Sequence, residues 1–145
     1  MMGAAGAASG PTYVDDVFST YLYEGTGGST KTITNGIDLS GEGGLVWIKR
    51  RDSPDANNVL FDTVRGVNKV LFSDLDLGST DFANSLTAFS SSGFSLGSNS
   101  TGNASGLSNV AWTFRKAPGF FDVVTYTGDG NATKTLNHSL GSVPG

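Results

Sequence analysis

The chain has no cysteine, one histidine and only two glutamates, Glu24 and Glu42, in 145 residues. Without cysteine there is no disulfide and no thiolate zinc site, so stability rests on packing and hydrogen bonds. Such usage fits synthesis in a cytosol. One histidine, His138, is too few for a histidine metal site. It would also have to be the sole base of any Ser-His catalytic pair. It sits near the C-terminus, in a context that reads as a turn or a strand end. Basic residues are scarce as well: nine Lys and Arg face thirteen Asp and Glu, a net charge of −4. That balance disfavours nucleic acid as the main partner, because phosphate binding needs a positive face. The opening MMGAAGAASGP lacks the basic start and Leu-rich core of a secretory signal, and it is too short and Gly-rich to span a bilayer. It reads either as a disordered tail or as an arm, residues 1–12, that joins the chain to a larger assembly.

Helical periodicity is missing too. No window repeats apolar residues at i, i+3, i+4 and i+7 over a helical length. What the chain has instead is glycine, 21 residues of it, with abundant Ser, Thr and Asn. Short β-branched and aromatic runs stand between these turn formers. Residues 17–23, 30–34, 45–50, 59–63, 70–72, 85–89, 93–96 and 110–115 read as strands. Asn35-Gly36 and Asp52-Ser53-Pro54-Asp55 read as turns. Residues 97–108, GSNSTGNASGLS, read as a long surface loop. Strands about ten residues apart with turns between them predict an all-β fold, an antiparallel β-sandwich or jelly roll. Trp47, Phe61, Phe72, Phe89, Phe94, Trp112 and Phe114 are the candidate core or near-core aromatics.

The end of the chain repeats its beginning. Residues 120–136, FFDVVTYTGDGNATKTL, align without a gap to residues 17–33, VFSTYLYEGTGGSTKTI, at an offset of 103. Over 18–33 there are 7 identities in 16 positions, among them Tyr23 with Tyr126 and Thr30-Lys31-Thr32 with Thr133-Lys134-Thr135. A period near one hundred residues suits tandem domains rather than a short-repeat solenoid. The expected organisation is the arm, one module over residues 13–117, and the first hairpin of a second copy over 118–145. Either the natural chain continues, or a short protein keeps the extra hairpin to complete its sheet.

Residues that carry chemistry are thin. Glycoside hydrolysis needs two placed carboxylates, yet the expected strand interiors are nearly free of acids. Asp74, Asp76 and Asp81 could gather around calcium, but their spacing matches no EF-hand and fits a solvated loop better. Four Asn-x-Ser/Thr matches carry little weight where these residues are so common. Lys49-Arg50-Arg51 and Arg115-Lys116 end two strands expected to lie side by side. They are the candidate partner contacts, a small basic patch for an acidic partner; the alternative is two solvated strand ends that keep edges from pairing. No catalytic residue, cofactor or metal is expected.

The runs GEGGLVWIKRRDSPDANNVLFDTVRGVNKVLFSD, LTAFSSSGFSLGS, NVAWTFRKAPGFFDVVTYTGDG and NHSLGSVPG resemble a repeated module of virion surface proteins in marine tailed bacteriophages. The likeness covers residues 13–145; in that family the second copy runs on past the equivalent of Gly145. It implies a β-sandwich of the lectin-like, concanavalin A-like type on the outside of a phage particle, assembled in the host cytoplasm. It supplies no catalytic or sugar-binding residues. Four functions follow as expectations. The first is a non-enzymatic tail-fibre-like appendage subunit, anchored by its arm, homo-oligomeric and held by a tail adaptor. The second is a capsid knob or decoration protein bound to the major capsid protein. The third is a module that binds host surface glycans, with residues 97–108 contributing to its groove. The fourth, disfavoured by the missing acid–base pair, is an enzyme acting on envelope polysaccharide.

Overall fold

The computed structural model describes residues 12–144. The arm expected over residues 1–12 therefore lies almost wholly outside the described residues. A single helical turn, α1 (Val14–Val17), leads into nine strands: β1 (Phe18–Glu24), β2 (Lys31–Thr34), β3 (Gly44–Arg50), β4 (Asn58–Asp62), β5 (Lys69–Phe72), β6 (Thr80–Asp81), β7 (Leu86–Ser90), β8 (Gly93–Leu96) and β9 (Ser108–Arg115). They form two antiparallel sheets. The larger has the order β1-β9-β3-β4-β5-β6 and the smaller β2-β8-β7. The fold is the all-β sandwich that the sequence predicts.

The core lies between the sheets. Val46 and Ile48 of β3, Val59 and Phe61 of β4, Val70 and Phe72 of β5 and Ala111 of β9 face it from the larger sheet; Ile33, Leu86, Phe94 and Leu96 face it from the smaller. Ile37 and Leu39 add to it from the crossing between β2 and β3, where the Leu39 N–H donates to the Ser90 carbonyl at 2.9 Å. Of the seven candidate core aromatics, Phe61, Phe72 and Phe94 are buried and Phe89 packs against them. Trp47, Trp112 and Phe114 are half-buried on the outer face of the larger sheet. Strand alternation requires this: with Val46, Ile48, Ala111 and Thr113 turned inward, their neighbours turn outward. The outward residues align into a row. Thr20 pairs with Trp112, Trp112 with Trp47, Trp47 with Leu60 and Leu60 with Leu71. The two indoles meet edge to face at 5.4 Å.

Three expectations are corrected. Residues 18–33 are not a hairpin: β1 pairs with β9 in the larger sheet, while β2 pairs with β8 in the smaller. The second copy, expected to open with a hairpin at 120–136, forms no strand among the described residues beyond a single bridge between Ala117 and Phe121. The physical reason is the same for both. These segments need partners of the β9 and β8 type, and β9 and β8 are already flanked on both sides by strands of the first copy. An unpartnered strand is not stable in water. The third correction concerns residues 97–108, which are not wholly a surface loop. The turn Ser100–Asn103 drives Asn103 into the interior, where it is fully buried.

Candidate functional site

The basic residues of the two strand ends do not meet. β3 and β9 are neighbours, as expected, but they run antiparallel. Their C-terminal ends therefore lie at opposite ends of the sandwich. Lys49 stands opposite Val110, whereas Arg115 stands opposite Gly44. The separation is five residues along β3, about 17 Å at the rise of an antiparallel strand. One patch of Lys49, Arg50, Arg51, Arg115 and Lys116 is thus replaced by two separate sites.

At the first end, Lys49 donates its ammonium to the Ala56 carbonyl, and Arg50 is ion-paired with Asp52. The Arg50 guanidinium, hydrogen-bonded to the Asp52 carboxylate, holds that carboxyl below its ordinary range. Asp52 also accepts the Ser108 N–H at 3.1 Å, and the Arg51 N–H donates to the Ser108 carbonyl at 2.8 Å. The loop after β3 is therefore fastened to the start of β9. Between this loop and the outer sheet face runs an open groove of about 780 Å³, floored by Leu22, Val110 and Trp112 and walled by Arg51, Ser53 and Pro54. A second recess of about 400 Å³ opens at the same end of the sandwich, with Val59, Phe72 and Phe82 below Thr101 and Gly102. The low-complexity stretch thus contributes a wall of this recess. Tyr23 closes the region: its phenol donates to the Gly102 carbonyl at 2.6 Å, and burial pushes its pKa well above the usual tyrosine range.

At the second end, Lys116 is paired with Asp122 at 2.8 Å, and the buried Nε of Arg115 has no hydrogen-bond partner. Asp122 also accepts the Ser139 N–H at 2.7 Å and the Val123 N–H at 2.8 Å. The Lys116 hydrogen bond, then that from Ser139, lowers its pKa to about 2. Asp122 is therefore the clasp that holds the second copy against the first, helped by Phe121 packing on Phe114 at 5.3 Å. A carboxyl whose folded pKa is depressed stabilises above its unfolded pKa near 4, and the contribution disappears as pH falls through about 2. Lys116 is partly solvated, so the clasp contributes about 1–2 kcal/mol. Asp122→Ala at neutral pH, or acidification of the wild type from pH 4 to 2, is expected to free residues 120–140 while the sandwich stays folded. Amide exchange at Gly119 and Ser139 measures it. Protection unchanged by the substitution would remove Asp122 from this role.

The acidic loop does not gather. Asp74 accepts the Asn58 N–H at 3.1 Å, Asp81 pairs with Lys69 at 2.6 Å, and no three potential metal ligands come together among the described residues. His138 is exposed and accepts the Leu140 N–H at 3.2 Å, a turn contact. Sequence reasoning missed two positions that organise the site. Asn103 joins the β1–β2 connection to the 97–107 loop, and Arg65 clamps the buried Asp62. Asn-Ala-Ser within a low-complexity run carries no sign of burial; an Arg three residues after an Asp was a visible but weak one.

No curated protein and no solved structure matches the chain. A family model described as Domain of unknown function (DUF7483) matches residues 14–145, from α1 through the sandwich and on into the segment that repeats its beginning. The chain belongs to the DUF7483 family.

Proposed function

We propose that the chain is a non-enzymatic structural module of a tailed-phage virion, a tail-fibre-like appendage subunit attached through its N-terminal arm, in which sandwiches of this kind are strung in series. The supporting observation is the contrast between the two copies. Val17, Tyr23 and Ile33 are 3%, 8% and 1% exposed, while their counterparts Phe120, Tyr126 and Leu136 are 42%, 64% and 41% exposed. The second copy carries core-facing residues at core-facing spacing with no core to enter. Such residues are matched to strands of the β9 and β8 type from another module. A serial array supplies those strands, and in an appendage the array sets the reach. The resemblance to phage surface proteins supports the location. Placed carboxylates also serve structure here: Asp62 holds a turn, Asp52 a loop and Asp122 the second copy.

Cryo-electron microscopy of the intact particle tests the proposal. Density for this sandwich in a tail appendage, with residues 120–136 paired into a following sandwich, is expected. Density spread over the capsid shell would replace the appendage with a capsid-surface decoration protein. Absence from the particle would overturn both.

A further inference from the structure

We infer that the groove over Leu22, Val110 and Trp112 is a binding site for an anionic polysaccharide, with the sugar rings on the apolar floor and their carboxylate or sulfate groups on Arg51 and its neighbours. This goes beyond the virion reading and does not depend on it.

Four observations carry the inference. Leu22 is 57% exposed in the middle of a strand, on a floor shared with the half-buried Trp112. An apolar floor with few polar groups at its edge is the usual composition of a ligand site. Second, the groove gathers Lys49, Arg50 and Arg51 against Asp52 alone, a local excess of positive charge on a chain whose net charge is −4. A cationic groove on an acidic surface concentrates anions at one place. Third, Asp52 neutralises Arg50, and Arg51 pairs with no carboxylate among the described residues. Lys49 has no carboxylate partner either, but its ammonium is taken up by the Ala56 carbonyl, so of the three cations of the groove Arg51 is the one left for a ligand beside the apolar floor. Fourth, the wall is fixed in advance. Asp52 and Arg51 tie it to Ser108 through two hydrogen bonds, so a ligand does not have to order it.

The architecture narrows the ligand further. The floor strand β9 is paired on both sides, by β1 and by β3. The groove lies on the outer face of the sheet, over the side chains of β1 and β9, and not along the free edge of β1, so a peptide seated in it joins no open ladder, and peptide docking by strand addition depends on one. Side chains alone must read the ligand. Single-stranded nucleic acid needs a cationic track along successive phosphates, whereas these cations lie together at one end of the groove.

Affinity electrophoresis of the full chain is the test. The probes are dextran sulfate, neutral dextran, poly-L-glutamate and oligo-dT. Dextran sulfate is expected to retard the chain at least tenfold more strongly than the other three, since it alone is a chain of pyranose rings that carry the anions. Arg51→Glu should cut that retardation at least tenfold, and Lys134→Glu, the same charge change far from the groove, less than twofold. Binding should also shift the tryptophan emission, and Trp112→Phe should abolish the shift. The site is overturned if no probe retards the chain, if poly-L-glutamate or oligo-dT does so as strongly as dextran sulfate, or if Lys134→Glu weakens binding as much as Arg51→Glu.

Discussion

Asn103→Ala is expected to lower the unfolding free energy by about 3 kcal/mol or more. Asn103 is fully buried and makes five hydrogen bonds through one amide. Its oxygen accepts the Thr26 N–H at 2.8 Å and the Thr26 hydroxyl at 3.2 Å; the two N–H groups of its nitrogen donate to the carbonyls of Gly97 at 2.7 Å and Ser29 at 2.9 Å, and the Gly27 carbonyl at 3.4 Å shares one of them. These partners are mostly backbone groups of two connections about seventy residues apart in sequence. Alanine leaves them without partners in a space too tight for repair. A Cβ at Gly25 would lie 2.1 Å from the Ala104 carbonyl oxygen, which shows how closely the two connections approach. Each unpaired buried group costs about 1–3 kcal/mol. Asn103→Asp distinguishes this account from simple loss of volume. Its size is unchanged, but it turns a second oxygen, and a charge, toward three carbonyls. It should be less stable than the alanine variant at pH 7. Relative to wild type at the same pH, it should recover part of the loss toward pH 4, as protonation restores a donor. Urea unfolding at the two pH values measures both effects. Equal stability of the two variants at pH 7 would reduce Asn103 to a space filler.

That residue also marks the boundary of what the sequence discloses. β-branched and aromatic runs locate eight of the nine strands, because strand preference and turn chemistry act over a few residues. The ninth, β6, is two exposed residues paired with Lys69 and Val70. It exists only because β5 lies beside it, and no local pattern announces that. LVWIKR and VAWTFR are apolar on both faces, so alternation alone does not say which face holds the core. The outward indoles follow only once Val46 and Ile48 are known to face β2 and β8. The basic ends were placed together on adjacency alone, and the antiparallel direction separates them. The repeat was legible as identity but not as topology. Phe18 to Ile33 looks like a hairpin in sequence because its two halves are close, yet the fold sends them to opposite sheets.

That separation bears on the second copy. A hairpin would satisfy part of its own backbone and could stand alone on the surface. A pair of strands bound for opposite sheets cannot, since each depends on a different partner. Tyr126 and Leu136 would enter a core only when both partners arrive together. The first copy meets this requirement with β9 and β8, which follow β1 by some seventy to ninety residues. Long-range closure of this kind forms slowly. The Asp122 clasp holds residues 120–140 against the first module.

The second large effect is expected at Arg65. Asp62 ends β4 with its carboxylate buried; one oxygen accepts the N–H groups of Val64 and Arg65 at 3.0 and 2.8 Å, and the other takes the Arg65 Nε at 2.6 Å. The rest of the guanidinium reaches the Leu60 carbonyl at 3.2 Å and the Ser79 hydroxyl at 3.1 Å. One side chain thus ties β4, the turn after it and the loop before β6. Arg65→Ala leaves the carboxylate buried without its cation, and breaking a buried pair in this one-sided way costs about 3 kcal/mol or more. Arg65→Lys keeps the charge but not the planar fork, so it should lose about half as much. The double variant Asp62→Asn, Arg65→Leu removes both charges and keeps an amide oxygen for the turn. It should be more stable than Arg65→Ala alone, because the main penalty is the unpaired charge rather than the missing bond. Urea midpoints at constant m-value compare the three. If the double variant were the least stable, the pair would be a net source of stability, and the cost of Arg65→Ala would lie in its lost contacts.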